Sequence, residues 1–204
     1  LMASLFPQFF QVRKVTINAN KNGAGGYTLF TPTEQYSKYA TKKFLLANLI
    51  VALGGRAAEV YLNRNNYKAN IFDNHVFKGI KDLDITTGAS NDLLQANKIA
   101  KDYITKYGFG ELFGLCHDCD NEKPFVGKEL GTRSNRLSDI MRNDIDTQVS
   151  QLVEFAYKSA LELIELHETS FIEIVKLISI QRVISGEDIM QILEKYSESE
   201  IFDN

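Results

Sequence analysis

The sequence has few cysteines and no excess of basic residues, and so lacks the features of several specialised protein classes. Two cysteines in 204 residues indicate neither a disulfide scaffold nor an oxidising compartment, so a reducing environment is expected. A net charge of -3, with no stripe of basic residues, argues against nucleic acid as a partner. The remaining composition, 44% hydrophobic and 24% charged, is that of an ordinary soluble globular protein.

Long hydrophobic runs are also missing. The longest apolar run, Phe44 to Leu53, is interrupted by Asn48 and is far shorter than the ~20 residues that a membrane-spanning helix needs. The first ten residues are apolar but have neither a basic start nor a small-residue cleavage site, so they do not resemble a signal peptide. We therefore expect a soluble segment, with any membrane anchor outside this chain.

The beginning of the chain is the only part that resembles β structure. Val12, Val15 and Ile17 lie among polar residues, glycines follow at 23, 25 and 26, and Tyr27 to Phe30 has strand-forming residues. This pattern predicts a β-hairpin packed on helices. The rest of the chain has helical periodicity, so the expected fold class is mainly α with a small β-hairpin near the N-terminus.

Helical spacing predicts five helices, and glycines and capping residues mark several of their ends. Ser90 is the expected N-cap of the second helix, Gly108 its C-terminal cap, and Ser185 forms a capping box with Asp188 in the last one. Gly54 and Gly55 in the first helix indicate either close backbone packing or a helix end. The predicted helices are residues 37–62, 90–107, 136–167, 171–180 and one that begins at Ser185.

Two segments contain side chains that could suggest a metal site. An asparagine-rich stretch at 63–82 includes His75, which is interpreted as a solvated side chain of a surface insertion. Cys116 and Cys119 have the Cys-x-x-Cys spacing of a zinc clamp, but no second ligand pair accompanies them. A loop with two free thiols is therefore preferred, and the role of the two cysteines stays open.

Two short motifs carry the chemical information. Residues 53–59 read Leu-Gly-Gly-Arg-Ala-Ala-Glu, and residues 86–93 read Thr-Thr-Gly-Ala-Ser-Asn-Asp-Leu. By spacing alone, Arg56 and Glu59 could form an i,i+3 ion pair, and Asp92 in a first helical turn would complement the helix dipole. Neither interpretation requires a catalytic role.

Together with Gly-Gly-Tyr-Thr at 25–28 and Lys-Tyr-Gly at 106–108, these motifs resemble the FtsH-type ATP-dependent zinc metalloprotease (AAA protease) family. The similarity covers the C-terminal part of the peptidase domain. It implies that Asp92 is the third protein ligand of a catalytic zinc. It also implies that Glu59 lies near the zinc site, where it orients the ligands without binding the metal. The other two ligands and the general-base Glu belong to a His-Glu-x-x-His helix, which the resemblance places upstream of Leu1.

The resemblance also implies the function of the parent protein. Such proteins hydrolyse misfolded or membrane proteins with zinc-activated water, assemble as homo- or hetero-hexamers, and use ATP and magnesium at a separate ATPase module. No Gly-x-x-x-x-Gly-Lys-Ser/Thr loop occurs here, so ATP binding is assigned to segments outside the chain. The implied location is a bacterial inner membrane, a mitochondrial inner membrane or a plastid.

Within the resemblance, residues 1–204 form a partial peptidase domain, expected to be inactive alone because two ligands and the base are absent from it. Alternative functions are a proteolytically inactive relative that serves as a ring scaffold or chaperone-like partner, and a helical interaction module unrelated to proteolysis. The expected parts are short strands at 1–31, zinc-site helices at 32–108 with the 63–82 insertion, a loop at 109–135, C-terminal helices at 136–196 and a frayed tail at 197–204.

Overall fold

A computed structural model shows the fold and describes residues 1–18, 25–64, 85–110 and 139–202. The fold class is confirmed: the described residues are mainly helical and include one small antiparallel sheet. The strands are β1 (Phe10–Thr16), β2 (Tyr27–Pro32) and β3 (Val183–Ser185). The helices are α1 (Glu34–Lys38), α2 (Lys42–Arg64), α3 (Ser90–Lys101), α4 (Asp139–Leu166), α5 (Glu168–Gln181) and α6 (Gly186–Phe202).

Helix α2 forms the centre of the core and packs against α3 and α4. Leu49 and Leu53 of α2 are each 1% exposed, and burial of each side chain stabilises the fold by roughly 1.5–3 kcal/mol. Alanines at i and i+4 let the neighbouring helices approach closely, because a methyl group is the largest side chain that they carry there. The fully buried alanines are Ala57, Ala96, Ala100, Ala156 and Ala160.

The predicted helix over residues 37–62 is wrong in its boundaries. It is divided into α1 and α2, and Thr41 starts the second helix because its hydroxyl accepts a hydrogen bond from Phe44 N at 3.2 Å. Of the two interpretations of Gly54 and Gly55, a helix end is wrong, since α2 continues to Arg64. Close packing explains Gly54, where an added Cβ would lie 2.7 Å from Cγ of Met2.

Among the described helices, α2 is also the one that is long and apolar enough to cross a membrane, judged by length and composition alone. This corrects the expectation that the chain holds no such segment, which rested on the short uninterrupted run and not on the whole helix. The same test is met by core helices of soluble proteins. Ten residues of α2 are buried within the fold.

The hairpin is confirmed, but it belongs to a three-stranded sheet with the order β2-β1-β3. The register shifts between Val12 and Lys14 on β1, which is the signature of a β-bulge. Strand β3 was not predicted. It follows Arg182, which adopts a left-handed conformation (φ 61°) and whose carbonyl accepts hydrogen bonds from Ile17 N and Thr16 Oγ1.

The C-terminal helices agree closely with the predicted ones. The capping box is confirmed: Asp188 N donates to Ser185 Oγ at 3.1 Å, and Ser185 N donates to Asp188 Oδ2 at 2.8 Å. Helix α6 extends to Phe202, beyond the predicted start of a frayed tail at residue 197. Ile174, Ile184 and Ile189 form a small cluster that joins α5, β3 and α6.

Candidate functional site

The residues before Asp92 form a compact turn that leads into α3. Thr86 Oγ1 accepts a hydrogen bond from Gly88 N at 3.1 Å, and Thr87–Ala89 form one turn of 3₁₀ helix. Ser90 is not the N-cap, contrary to the sequence prediction. Its φ and ψ of -60° and -40° are already helical, whereas a capping residue has extended backbone angles. Thr86 therefore takes the capping role one turn earlier.

At the other end, α3 continues as a π-helical turn over Asp102–Lys106, so the helical stretch ends near the predicted residue 107. Gly108 has a φ of 64°, a left-handed conformation that glycine adopts without strain, which confirms its predicted role at the end of the helix.

Asp92 lies in the first turn of α3 with its side chain half-buried. Burial raises the pKa of its carboxyl group above the usual value. In the described part of the chain, no side chain or backbone N–H forms a hydrogen bond or ion pair with this carboxylate. It faces α2, where a Cβ atom added to Gly55 would lie 3.2 Å from its Oδ2 atom.

Arg56 and Glu59 form the ion pair that their spacing predicts, with Nη1 and Oε2 2.9 Å apart. The pair is more buried than an ordinary surface pair, because the two side chains are 18% and 28% exposed. It also reaches across to the turn before α3. Thr86 Oγ1 donates to Glu59 Oε1 at 2.7 Å, and Arg56 Nη2 donates to the Thr86 carbonyl at 3.0 Å.

The sequence alone indicates no separate role for Thr86. Its partner Glu59 is 27 residues away, and Arg56 is 30 residues away. Neither helical nor strand periodicity connects residues at such separations. The one signal in the sequence is that both motifs of the resemblance contain these residues.

The side chains present fit a zinc site in part. Asp92 supplies an oxygen donor of the kind that zinc accepts, and its carboxylate is not engaged elsewhere among the described residues. Both carboxylate oxygens of Glu59 are engaged, which suits a supporting residue and not a ligand. Over residues 1–18, 25–64, 85–110 and 139–196, no three His, Cys, Asp or Glu side chains cluster as a metal site would require.

The opening turn of the chain lies beside this site. Met2–Leu5 form one turn of 3₁₀ helix, and Met2 packs on Gly54 of α2. The next residue of α2, Gly55, faces Asp92. Two consecutive glycines in one turn of α2 thus contact the first residues of the chain and the Asp92 carboxylate.

Three other residues from the sequence analysis cannot be placed in this site. His75, Cys116 and Cys119 lie outside the described residues, as do most of the 63–82 insertion and the 109–135 loop. Their predicted roles stay predictions.

Comparisons with known proteins identify relatives over nearly the whole chain. The family described as Peptidase family M41 matches residues 1–192. An ATP-dependent zinc metalloprotease FtsH of Veillonella parvula is 36% identical over 169 residues, which is 82% of this chain and 23% of that protein. The chloroplastic ATP-dependent zinc metalloprotease FTSH 1 of Arabidopsis thaliana is 29% identical over 195 residues, which is 94% of this chain and 25% of that protein.

A third relative is the ATP-dependent zinc metalloprotease FtsH 4 of Synechocystis sp., which is 31% identical over 195 residues. That match covers 95% of this chain and 28% of the relative. The chain therefore spans about a quarter of the length of the curated relatives that it matches.

Proposed function

Because the chain belongs to peptidase family M41, the family of FtsH-type zinc metalloproteases, we propose that it is part of an ATP-dependent zinc metalloendopeptidase that degrades protein substrates. In this proposal Asp92 is one of three protein ligands of the zinc. The other two are the histidines of a His-Glu-x-x-His helix that lies outside this chain, and the Glu of that helix is the general base.

The observation that carries this proposal is the meeting of two segments at the glycine pair of α2. Met2 packs on Gly54, and the carboxylate of Asp92 faces Gly55. A helix that leads into Met2 would therefore end close to Asp92. Both contacts lie within one turn of α2, and Asp92 has no competing partner among the described residues, which supports its proposed role as a ligand.

The residues of this chain have distinct proposed tasks. Asp92 holds the metal through a carboxylate oxygen at the start of α3, where the positive end of the helix dipole opposes the effect of burial, which raises the pKa of this carboxyl group. Zinc, when bound, supplies a Lewis acid that polarises the peptide carbonyl and activates water. Glu59 keeps its hydrogen bonds to Arg56 and Thr86 and supports the residues around the zinc without binding the metal.

The other functions of the parent protein are assigned to segments outside this chain. The relatives are named ATP-dependent, and the chain covers about a quarter of their length, which leaves ample room for a separate module that binds ATP and magnesium. Hexamer assembly and attachment to a bacterial, mitochondrial or plastid membrane are proposed on the same family grounds. We propose that α2 is a core helix of this segment, because ten of its residues are buried in the fold.

Degradation of a fluorescently labelled, unfolded protein by the native polypeptide that contains this chain tests the proposal. We expect ATP-dependent release of labelled peptides that a zinc chelator stops and added zinc restores. Asp92→Asn should abolish peptide release and leave ATP hydrolysis intact, whereas Asp102→Asn, which removes a half-buried carboxylate further along the same helical stretch, should retain both. ATP hydrolysis by the wild-type protein without any peptide release would overturn the proposal in favour of an inactive ring scaffold.

A further inference from the structure

We propose that Arg56, Glu59 and Thr86 form a bracket that positions the Asp92 carboxylate for metal binding by fixing the turn that precedes α3. This inference rests on the proposed function, because it takes Asp92 to be a zinc ligand. It assigns positioning roles to Arg56 and Thr86 and makes the task of Glu59 specific.

Four hydrogen bonds make up the bracket. Nη1 of Arg56 donates to Glu59 Oε2, and Nη2 donates to the main-chain carbonyl of Thr86. The Thr86 hydroxyl donates to the second oxygen of Glu59 and accepts from Gly88 N. Both terminal nitrogens of Arg56, both oxygens of Glu59 and the hydroxyl and carbonyl of Thr86 thus have hydrogen-bond partners, and the charges of Arg56 and Glu59 balance.

The bracket and Asp92 are connected by a short, stiff path. From Thr86 the chain passes through the 3₁₀ turn Thr87–Ala89 and enters α3 at Ser90, two residues before Asp92. Ala89 is 5% exposed, so the middle of this path is held in the core. Because helical turns transmit a displacement of their first residue, a shift of Thr86 would move the Asp92 carboxylate with it.

The other end of the bracket belongs to the same part of α2 that faces Asp92. Gly55, which lies opposite the carboxylate, is the direct neighbour of Arg56. A single turn of α2 therefore provides both the surface that Asp92 faces and the anchor for the turn that carries it. Metal ligands must be held to within about 0.5 Å of their productive position, and such supporting contacts commonly change metal affinity by about 10- to 100-fold.

A purely structural role predicts a different outcome. If the bracket were only an ion pair with an added hydroxyl contact, its loss would lower stability slightly and leave metal affinity unchanged. Zinc affinity therefore separates the two roles. Thr86 is the most informative position, because valine has nearly the same shape as threonine without the hydroxyl, and serine retains the hydroxyl.

The experiment compares Thr86→Val, Thr86→Ser and Glu59→Gln in the native polypeptide. Zinc affinity is measured by competition with a chelating dye at fixed pH, and backbone hydrogen exchange over residues 86–92 is measured without metal. We expect Thr86→Val and Glu59→Gln to bind zinc about 10- to 100-fold more weakly and to exchange faster, with Thr86→Ser close to wild type. Glu173→Gln is the matched control, because it breaks an i,i+3 ion pair of similar length (2.7 Å) on α5.

Wild-type zinc affinity in Thr86→Val, or equal losses in Thr86→Val and Thr86→Ser, would overturn the bracket. Failure of the proposed function looks different: the wild-type protein itself would bind no zinc, or Asp92→Asn would retain it. Hydrogen exchange still decides the bracket in that case, since unchanged exchange over residues 86–92 in Thr86→Val and Glu59→Gln contradicts it whether or not zinc binds. If Thr86→Val does not fold, Glu59→Gln supplies the same comparison.

Discussion

A Cβ atom on Gly55 would lie 3.2 Å from Oδ2 of Asp92, so these two residues face each other where α2 meets α3. The contact would be tighter than ordinary van der Waals packing, but it involves the end of a side chain that can rotate. Because glycine has no side chain, residue 55 does not restrict the orientation of the Asp92 carboxylate. Elsewhere on a helix, an exposed glycine only lowers stability.

Gly55→Ala should have opposite effects on stability and on metal binding. Alanine at this exposed helical position should raise the free energy of unfolding of the metal-free protein by about 0.5–1 kcal/mol. The added methyl group should turn the Asp92 carboxylate away and weaken zinc binding at least tenfold. Urea unfolding without metal and dye competition with zinc measure the two effects, and an unchanged zinc affinity would contradict the role given to Gly55.

Gly54→Ala tests the neighbouring contact, where the expected effect is on packing. Its Cβ would lie 2.7 Å from Cγ of Met2, so overpacking of about 1–3 kcal/mol should outweigh the gain in helix propensity. In a Met2→Ala background the clash disappears, and Gly54→Ala should then stabilise the protein by up to about 1 kcal/mol. A double-mutant cycle of urea unfolding measures this coupling, and strictly additive effects would argue against the contact.

The capping box of α6 should make stability depend on pH. The backbone N–H and the hydroxyl of Ser185 hold the pKa of Asp188 below its usual value. Because the folded pKa is the lower one, the stabilisation is complete above the unfolded pKa of about 3.9 and is lost as the pH falls through the folded value. Asp188→Asn should therefore be less stable than wild type at pH 7, and the difference should shrink as the pH falls below about 4.

Two variants control this prediction. Ser185→Ala removes the hydroxyl contacts and should cost about 1 kcal/mol at pH 7. Glu187→Gln removes a charge from the same first turn without touching Ser185, and should show only the smaller effect of the helix dipole. If Glu187→Gln reproduces the whole pH dependence of Asp188→Asn, general electrostatics and not the capping box are responsible.

Features that depend on local pattern could be predicted from the sequence. The stripe of apolar residues in α4 repeats with helical spacing, and the Ser185 and Asp188 capping box lies within four residues. Gly108 was recognisable as a helix end because a left-handed residue there favours glycine. Each of these signals lies within a short stretch of consecutive residues, so it can be recognised from the sequence without knowing the fold.

Features that depend on distant contacts could not be predicted. Strand β3 has three residues, which are too few to show an alternation of apolar and polar side chains. It pairs with β1, which lies almost the whole length of the chain away. The hydrogen bond between Thr86 and Glu59 likewise joins the turn before α3 to α2, and these two segments become neighbours only after folding. The proposed zinc-ligand role of Asp92 comes from the family motif alone, because one carboxylate in a first helical turn is otherwise explained by the helix dipole.

Zinc content shows whether Asp92 holds the metal. The native polypeptide that contains this chain is purified, dialysed against a weak chelator and measured for zinc per polypeptide, in parallel with Asp92→Asn and Asp102→Asn. We expect about one zinc in the wild-type protein and in Asp102→Asn and much less in Asp92→Asn, since a three-ligand site loses one donor. Equal zinc content in Asp92→Asn and the wild-type protein would contradict it.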